Sequence, residues 1–492
     1  MNFGDDPFGP AEYGADPRAG VNHSRLTRAG EAIKLTQMNV GENQSAASPV
    51  PDNEPPTATG KPSFKNPETL LLLLLAVFGL TFVWRAANTA AGIDFYQFWV
   101  VGQALQRSAV ADVYSDAERR RLGSEYLEKA RQAGNSRQIA VAEFRQNLQT
   151  YSSPLLYAVF GLSSTGNYET DLRNYRGLLL ACLVLGVTAL CRLLNHSLNV
   201  TLGAVAIFSA WFDPFGSDLR MGNVNTIQFA LFAAYLWVVA RMRWRGRDIL
   251  GGVIIGLAVA FKPNLVLIAA VLAADWLLHR QYRRLGLHAA GAAAGGLLAI
   301  LAAAANFGTP RCWISWLGAL RSLPQEVILV KNGNYAPGAM LGESLGANVG
   351  IALAVILGGL VIVGLWMKKR GVFQGNNVAS TTDSFSQVQT VAAGCLLVIL
   401  IPRLAWLHYY VLTIPAFLLL LCPKGDLPFA GRPLLRQLLM VLAFLGLATD
   451  PFFNLGLRLT TYQQGTMAVC AALILFALSI FPPNPRLRPR ND

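Results

Sequence analysis

Asp94 stands a few residues beyond the first long apolar run, Thr69 to Trp84, and opens the segment Asp94-Phe95-Tyr96-Gln97-Phe98-Trp99. A carboxylate just past a first membrane span, followed by an aromatic-rich amphipathic stretch, suits an active site at a membrane surface. The rings can lie in the interface while the carboxylate faces water or a cleft. Three further polar motifs interrupt apolar runs: Asp213-Pro214-Phe215-Gly216-Ser217-Asp218-Leu219-Arg220-Met221-Gly222-Asn223-Val224-Asn225, Phe261-Lys262-Pro263-Asn264, and Pro402-Arg403-Leu404-Ala405-Trp406-Leu407-His408-Tyr409-Tyr410. A Lys beside a Pro at a helix break, and an Arg and a His in an aromatic turn, are costly near lipid. Such groups face a cavity or pair with charge.

The chemistry that fits is sugar transfer from a lipid phosphate. Asp94 would take the proton from an acceptor hydroxyl as it attacks the anomeric carbon. Lys262, Arg403 or Arg220 would stabilise the leaving phosphate. Trp406, Tyr96 and Trp99 would flank the sugar or a prenyl chain. One essential base suits an inverting displacement, whereas a double displacement needs a second carboxylate. Each group also has a plainer reading. Asp94 can be a helix cap, Lys262 and Arg403 can snorkel to the headgroups, and the Trp and Tyr residues can form an interface belt. Gly222-Asn223-Val224-Asn225 can be a helix start with Asn as its cap.

The elements that must position these groups are apolar helices. The chain has 492 residues, 53% of them hydrophobic and 14% charged, with mean hydropathy +0.38. A soluble protein would carry nearer a quarter charged residues. Runs of about 20 apolar residues recur, so the sequence predicts an all-α, multi-pass membrane bundle. The net charge of +13 does not point to nucleic acid. The basic residues cluster between apolar runs, at Arg241 to Arg247, Arg280 to Arg284, Lys368 to Arg370 and Arg486 to Arg490, as the positive-inside rule describes. The six cysteines form no CxxC or Cys/His metal spacing.

Residues 1–65 read as a disordered cytoplasmic tail without a signal peptide, and 483–492 as a cytoplasmic C-terminal tail. Between them, 66–482 form one transmembrane domain. About twelve spans fall near 69–86, 173–193, 199–213, 222–241, 248–262, 264–280, 286–306, 347–367, 387–403, 408–422, 433–449 and 464–481. With the N-terminus inside, twelve crossings put every basic cluster in the cytoplasm and the polar motifs outside. The apolar segment Ser153 to Leu162 is too short to cross and reads as re-entrant or interfacial. Two outer loops, about 87–172 and 307–346, should pack onto the bundle. The first carries a charged helical region from Asp116 to Gln149.

The order of motifs resembles the GT-C membrane glycosyltransferases of family 87, the polyprenol-phosphate-mannose-dependent branch. The resemblance rests on Asp94-Phe95-Tyr96 followed by Asp112-Val113-Tyr114, Tyr151-Ser152-Ser153-Pro154-Leu155, Gly222-Asn223-Val224-Asn225, Phe261-Lys262-Pro263, Asn334-Tyr335 and Trp406-Leu407-His408-Tyr409. It covers about residues 90–415. The sequence departs from the family's usual Gln at Asn223, from Tyr-x-Pro-Pro at Ser153-Pro154, and from Asn-Gln-Ser at Asn334-Tyr335-Ala336.

The resemblance implies a GT-C bundle with interfacial helices in the first outer loop. It implies Asp94 as general base, a polyprenyl-phosphate-sugar donor, mannose first, and His408 near the donor phosphate or sugar. Asn223 and Asn225 join the donor-side candidates, and Asn334 and Tyr335 the acceptor-side ones. The expected partners are membrane lipids, the donor, and a glycolipid or glycan acceptor, with no nucleic acid. Some GT-C enzymes use a divalent cation, yet the sequence presents no metal site; Asp112 is the one carboxylate near Asp94. The expected location is a bacterial inner membrane with the active site outside. An O-antigen-type glycan polymerase or ligase, which needs no aspartate at the first span, is the alternative. A lipid-linked sugar flippase or transporter is a third reading.

Overall fold

The computed structural model describes residues 66–107, 112–346, 348–370, 382–422, 433–448 and 459–480. The tails expected at 1–65 and 483–492, the Arg486 to Arg490 cluster, and much of the polar loop near Gln374 to Gln387 lie outside the described residues. Within them, regular structure is helical: nineteen α-helices, four short 3-10 turns, and one isolated β-bridge between Asn334 and Trp406.

Each of the twelve apolar segments contains a helix. These are α1 (Pro67–Asn88), α6 (Tyr168–Leu193), α7 (Leu198–Ala210), α9 (Asn225–Arg241), α10 (Arg247–Phe261), α11 (Val266–Leu278), α12 (Tyr282–Phe307), α15 (Val349–Lys369), α16 (Thr382–Leu400), α17 (Ile414–Leu420) with the 3-10 turn before it, α18 (Pro433–Leu445) and α19 (Thr461–Ile480). Five of them, α1, α6, α12, α15 and α19, are long and apolar enough to cross a membrane alone. A sixth arises if α7 and α8 (Asp213–Met221), bent by 58° at their junction, form one span. The chain is a helical membrane protein. Leu70, Leu71, Leu74, Phe78 and Phe82 of α1 point outward while Ala76, Gly79 and Val83 are buried. An outward apolar stripe of that size suits lipid rather than water.

Prolines set the breaks. Pro214 opens α8, where its fixed φ suits a first helical turn. Pro263 ends α10: the residue before a proline is pushed from helical to extended backbone, and Lys262 adopts φ −148°, ψ 110°. Lys262 therefore leaves the helix instead of continuing it.

Glycines set the closest seam. α10 and α12 approach so tightly that a Cβ on Gly256 would lie 2.2 Å from the Ala292 carbonyl oxygen, and one on Gly291 2.1 Å from that of Ile249. Small residues let apolar helices meet at backbone distance. Gly256→Leu is expected to destabilise the protein by about 1–3 kcal/mol, because the clash is with backbone. A thermal melt in detergent checks this, and an unchanged midpoint would contradict the seam.

The expected first outer loop carries α2 (Ile93–Gln106), α3 (Asp116–Ala133), α4 (Ser136–Phe144) and α5 (Pro154–Ser163). The charged region is thus a helical hairpin, α3 and α4. The short segment at 153–162 is the ten-residue α5, packed on α2, α10 and α12. The second loop carries α13 (Cys312–Arg321) and α14 (Pro337–Leu345). Both loops pack on the bundle. One local expectation is corrected. α2 does not lay its rings in an interface, because residues 94–105 are buried on every side by α3, α5, α6 and α8.

Candidate active site

The site begins at the junction of α8 and α9. Gly222 closes α8 with φ +68° and its Cα faces Phe95, so a Cβ there would lie 2.5 Å from the Phe95 Cβ. Only glycine combines that backbone with that approach. The buried Asp218 then caps α9: it accepts from the Thr226 N–H at 2.9 Å, the Thr226 hydroxyl at 2.6 Å and the Asn225 side-chain amide at 2.8 Å. A carboxylate at a helix N-terminus satisfies orphan N–H groups and the helix dipole together. The cap is therefore Asp218, which leaves the Asn223 amide nitrogen and the Asn225 side-chain oxygen for the site. Arg176, 1% exposed, holds the same junction by donating to the Leu219 carbonyl at 3.2 Å.

Asp94 sits in the first turn of α2, buried to 8% exposure. Its Oδ2 accepts from Asn223 Nδ2 at 2.7 Å. An ionised carboxylate only accepts, so Asn223 presents its amide nitrogen and turns its oxygen back to the Val224 N–H at 2.7 Å. Arg145 Nη2 lies 3.5 Å from Asp94 Oδ1, and His408 Nε2 lies 3.9 Å from Oδ2. Both Arg145 Nε and His408 Nε2 are buried without a hydrogen-bond partner. Burial pushes the Arg145 guanidinium below its usual range and Asp94 holds it up.

Lys262 joins the same group from its proline break. Its Nζ donates to Asn225 Oδ1 at 2.7 Å and stands 3.6 Å from the centre of the Tyr409 ring. A hydrogen-bonded line thus runs from Asp94 through Asn223 and Asn225 to Lys262, with the two amides 3.2 Å apart. Ser153 braces the break by donating to the Phe261 carbonyl at 2.9 Å while capping α5. Trp406 is half-buried, its ring 5.7 Å from that of His408.

The structure brings together Asp94, Asn223, Asn225, Lys262, His408 and Trp406. It places the other predicted residues elsewhere. Tyr96 and Trp99 lie in a buried aromatic cluster with Tyr168, and Trp99 Nε1 donates to Asp171 at 2.9 Å. They are core rather than wall, and Asp171 also ties down Ser164 and Thr165. Asn334 is fully buried and spends its amide on backbone, donating to the Arg403 carbonyl at 2.8 Å and accepting from the Ala405 N–H at 2.9 Å. Tyr335 donates its hydroxyl to Gln464 at 2.9 Å and its N–H to the Ala405 carbonyl at 2.7 Å. Both clamp the second loop to residues 403–406 rather than meeting an acceptor. Asn334→Ala is expected to cost about 1–3 kcal/mol, since buried N–H groups lose their acceptor; a detergent melt checks it.

Arg220 lies in the last turn of α8. Arg403 is exposed and lines a separate cavity. Asp112 is held in a local turn, accepting from the Tyr114 N–H at 3.0 Å. Three residues with parts in the site, Arg145, Asp218 and Tyr409, carry no role in the sequence reading. Asp218 and Tyr409 stand inside quoted motifs, whereas Arg145 has no signal that separates it from the other arginines of its hairpin.

Among the described residues no three His, Cys, Asp or Glu side chains gather as a metal site would need. The groups that approach the Asp94 oxygens are the Arg145 guanidinium and the Asn223 amide.

Residues 152–385 match the family model of glycosyltransferase family 87. Over that stretch the chain is similar to glycosyltransferase family 87. The chain matches no curated protein and no solved structure. Asn223, Asn225 and Lys262 lie inside the matched stretch. Asp94 and His408 lie outside it and reach the same site through the fold.

Proposed function

We propose that the protein is an inverting glycosyltransferase that moves a sugar, mannose first, from a polyprenyl-phosphate carrier to a glycolipid or glycan acceptor. The observation that carries this reading is a carboxylate, Asp94, that no other carboxylate contacts among the described residues and that has basic side chains beside it. Asp94 has Arg145, His408 and, through two amides, Lys262 around it. The acceptor oxygen attacks the anomeric carbon and its proton passes to an Asp94 oxygen. The bond from that carbon to the phosphate oxygen breaks, and its electron pair leaves with the phosphate. Lys262 and His408 then face the charge that develops.

The reading places the site on the extracytoplasmic face of a bacterial inner membrane, in a GT-C bundle of about twelve crossings. Helix ends support that orientation. Asn225 opens α9 and Arg241 closes it; Arg247 opens α10 and Lys262 follows its end. Arg280, Arg283 and Arg284 fall between α11 and α12 or at the start of α12. Site residues thus gather at one end of this helix set and arginines at the other, which the positive-inside rule assigns to the cytoplasm.

The test is transfer of labelled mannose to lipid extract by the purified protein in detergent. Polyprenyl-phosphate-mannose should serve as donor and a nucleotide-linked mannose should not. Transfer from the nucleotide sugar alone would reject the lipid donor. Movement of the carrier without chemical change would favour a transporter.

A further inference from the structure

Arg403 stands apart from the carboxylate. Among the described residues its guanidinium makes no hydrogen bond or ion pair, and it lines a cavity of about 550 Å³ between α14, α15 and the segment at 401–403. The other walls are mostly small and apolar, with Gly338, Gly342, Gly350 and Ala354 supplying the space. A Cβ built on Gly342 meets nothing within 4 Å. The one acid on the wall, Glu343, accepts from the Val330 N–H at 2.9 Å. The cavity opens on the lipid side: Ile351 and Val355, also on its wall, are 68% and 69% exposed, and α15 is apolar and long enough to cross. An apolar groove with a single available cation complements a lipid that carries an anionic phosphate at the root of its chains.

Two lipids meet in the proposed reaction, and the geometry separates them. The donor's phosphate is bonded to the carbon under attack, so the groups that meet it must lie close to Asp94, as Arg145 and His408 do directly and Lys262 does through two amides. The acceptor's anchor can lie away from its reacting hydroxyl. Arg403 is joined to the site along the chain, through Ala405 and Trp406 to His408, with its own carbonyl fixed by Asn334. Building on the proposed glycosyl transfer, we infer that this groove holds the anionic lipid anchor of the acceptor, with Arg403 on its phosphate.

The test compares wild type with Arg403→Gln and Gly342→Leu. The second fills the groove from a helical position with open space, and leucine favours helix over glycine. Unchanged melting temperatures establish that both fold. Bound phosphatidylglycerol and phosphatidylcholine are counted by native mass spectrometry after incubation with the purified protein. Wild type is expected to retain phosphatidylglycerol in preference. Arg403→Gln should weaken that retention roughly tenfold, as loss of one charge-assisted contact does, and Gly342→Leu should abolish it. In the transfer assay both variants should raise the KM for lipid acceptor and leave that for the donor unchanged. A raised donor KM would overturn the assignment, as would wild-type retention of phosphatidylglycerol by both variants. If wild type transfers no sugar, the retention measurement still decides the groove, and the failure then belongs to the reaction.

Discussion

Asp94→Asn leaves a folded protein whose kcat for transfer falls by roughly 10²- to 10⁴-fold, the usual contribution of a positioned base. Asparagine keeps the volume and can still accept from Asn223 Nδ2, which now stands 2.7 Å from Oδ2. What it loses is the ability to take a proton and to balance the Arg145 guanidinium at 3.5 Å. The KM for the donor should change little, because the donor cations remain. Equal rates in wild type and variant would remove Asp94 from the chemistry and favour a ligase-type mechanism.

The second large effect concerns Lys262. Lys262→Met keeps the length and apolar stem but removes the charge that stands over Tyr409 and donates to Asn225. If Lys262 meets the leaving phosphate, kcat falls by roughly 10²- to 10³-fold while the melting temperature is held or rises, since a buried cation no longer needs solvation. If Lys262 only braces Asn225, the melting temperature falls and kcat follows it. Parallel melts and single-turnover rates separate the two.

Much of the site is legible in the sequence because it is built at helix breaks. Lys262 is visible beside Pro263, Asn223 and Asn225 beside Gly222, and His408 in an aromatic turn; each marks a polar group where an apolar helix stops. Alternating helix direction then gathers them at one end. Asp94 is legible for the same reason. Arg145 is not, because it is one arginine among several on the α3–α4 hairpin. It reaches Asp94 only when that hairpin docks, partly through Gln97 accepting from the Gln149 N–H at 2.7 Å. The aromatic wall fails for a related reason. Tyr96 and Trp99 follow Asp94 by two and five residues, which turns them to other faces of α2, and α2 is buried on all sides. Asn334 and Tyr335 look like a polar loop poised for a ligand, yet buried backbone groups claim them first.

Span number is the part of the fold that composition fixes least. Every expected segment contains a helix, but α10 and α11 have 15 and 13 residues. Pro263 breaks the chain directly after Lys262, and the break shortens the helices that flank it.

The most direct test of the account is the anomeric configuration of the sugar in the product. Wild type and Asp94→Asn would be run side by side with polyprenyl-phosphate-mannose of known configuration, and the product read by NMR. A lone carboxylate predicts an inverted linkage from wild type and almost no product from the variant. A retained linkage, or undiminished transfer by Asp94→Asn, would contradict it.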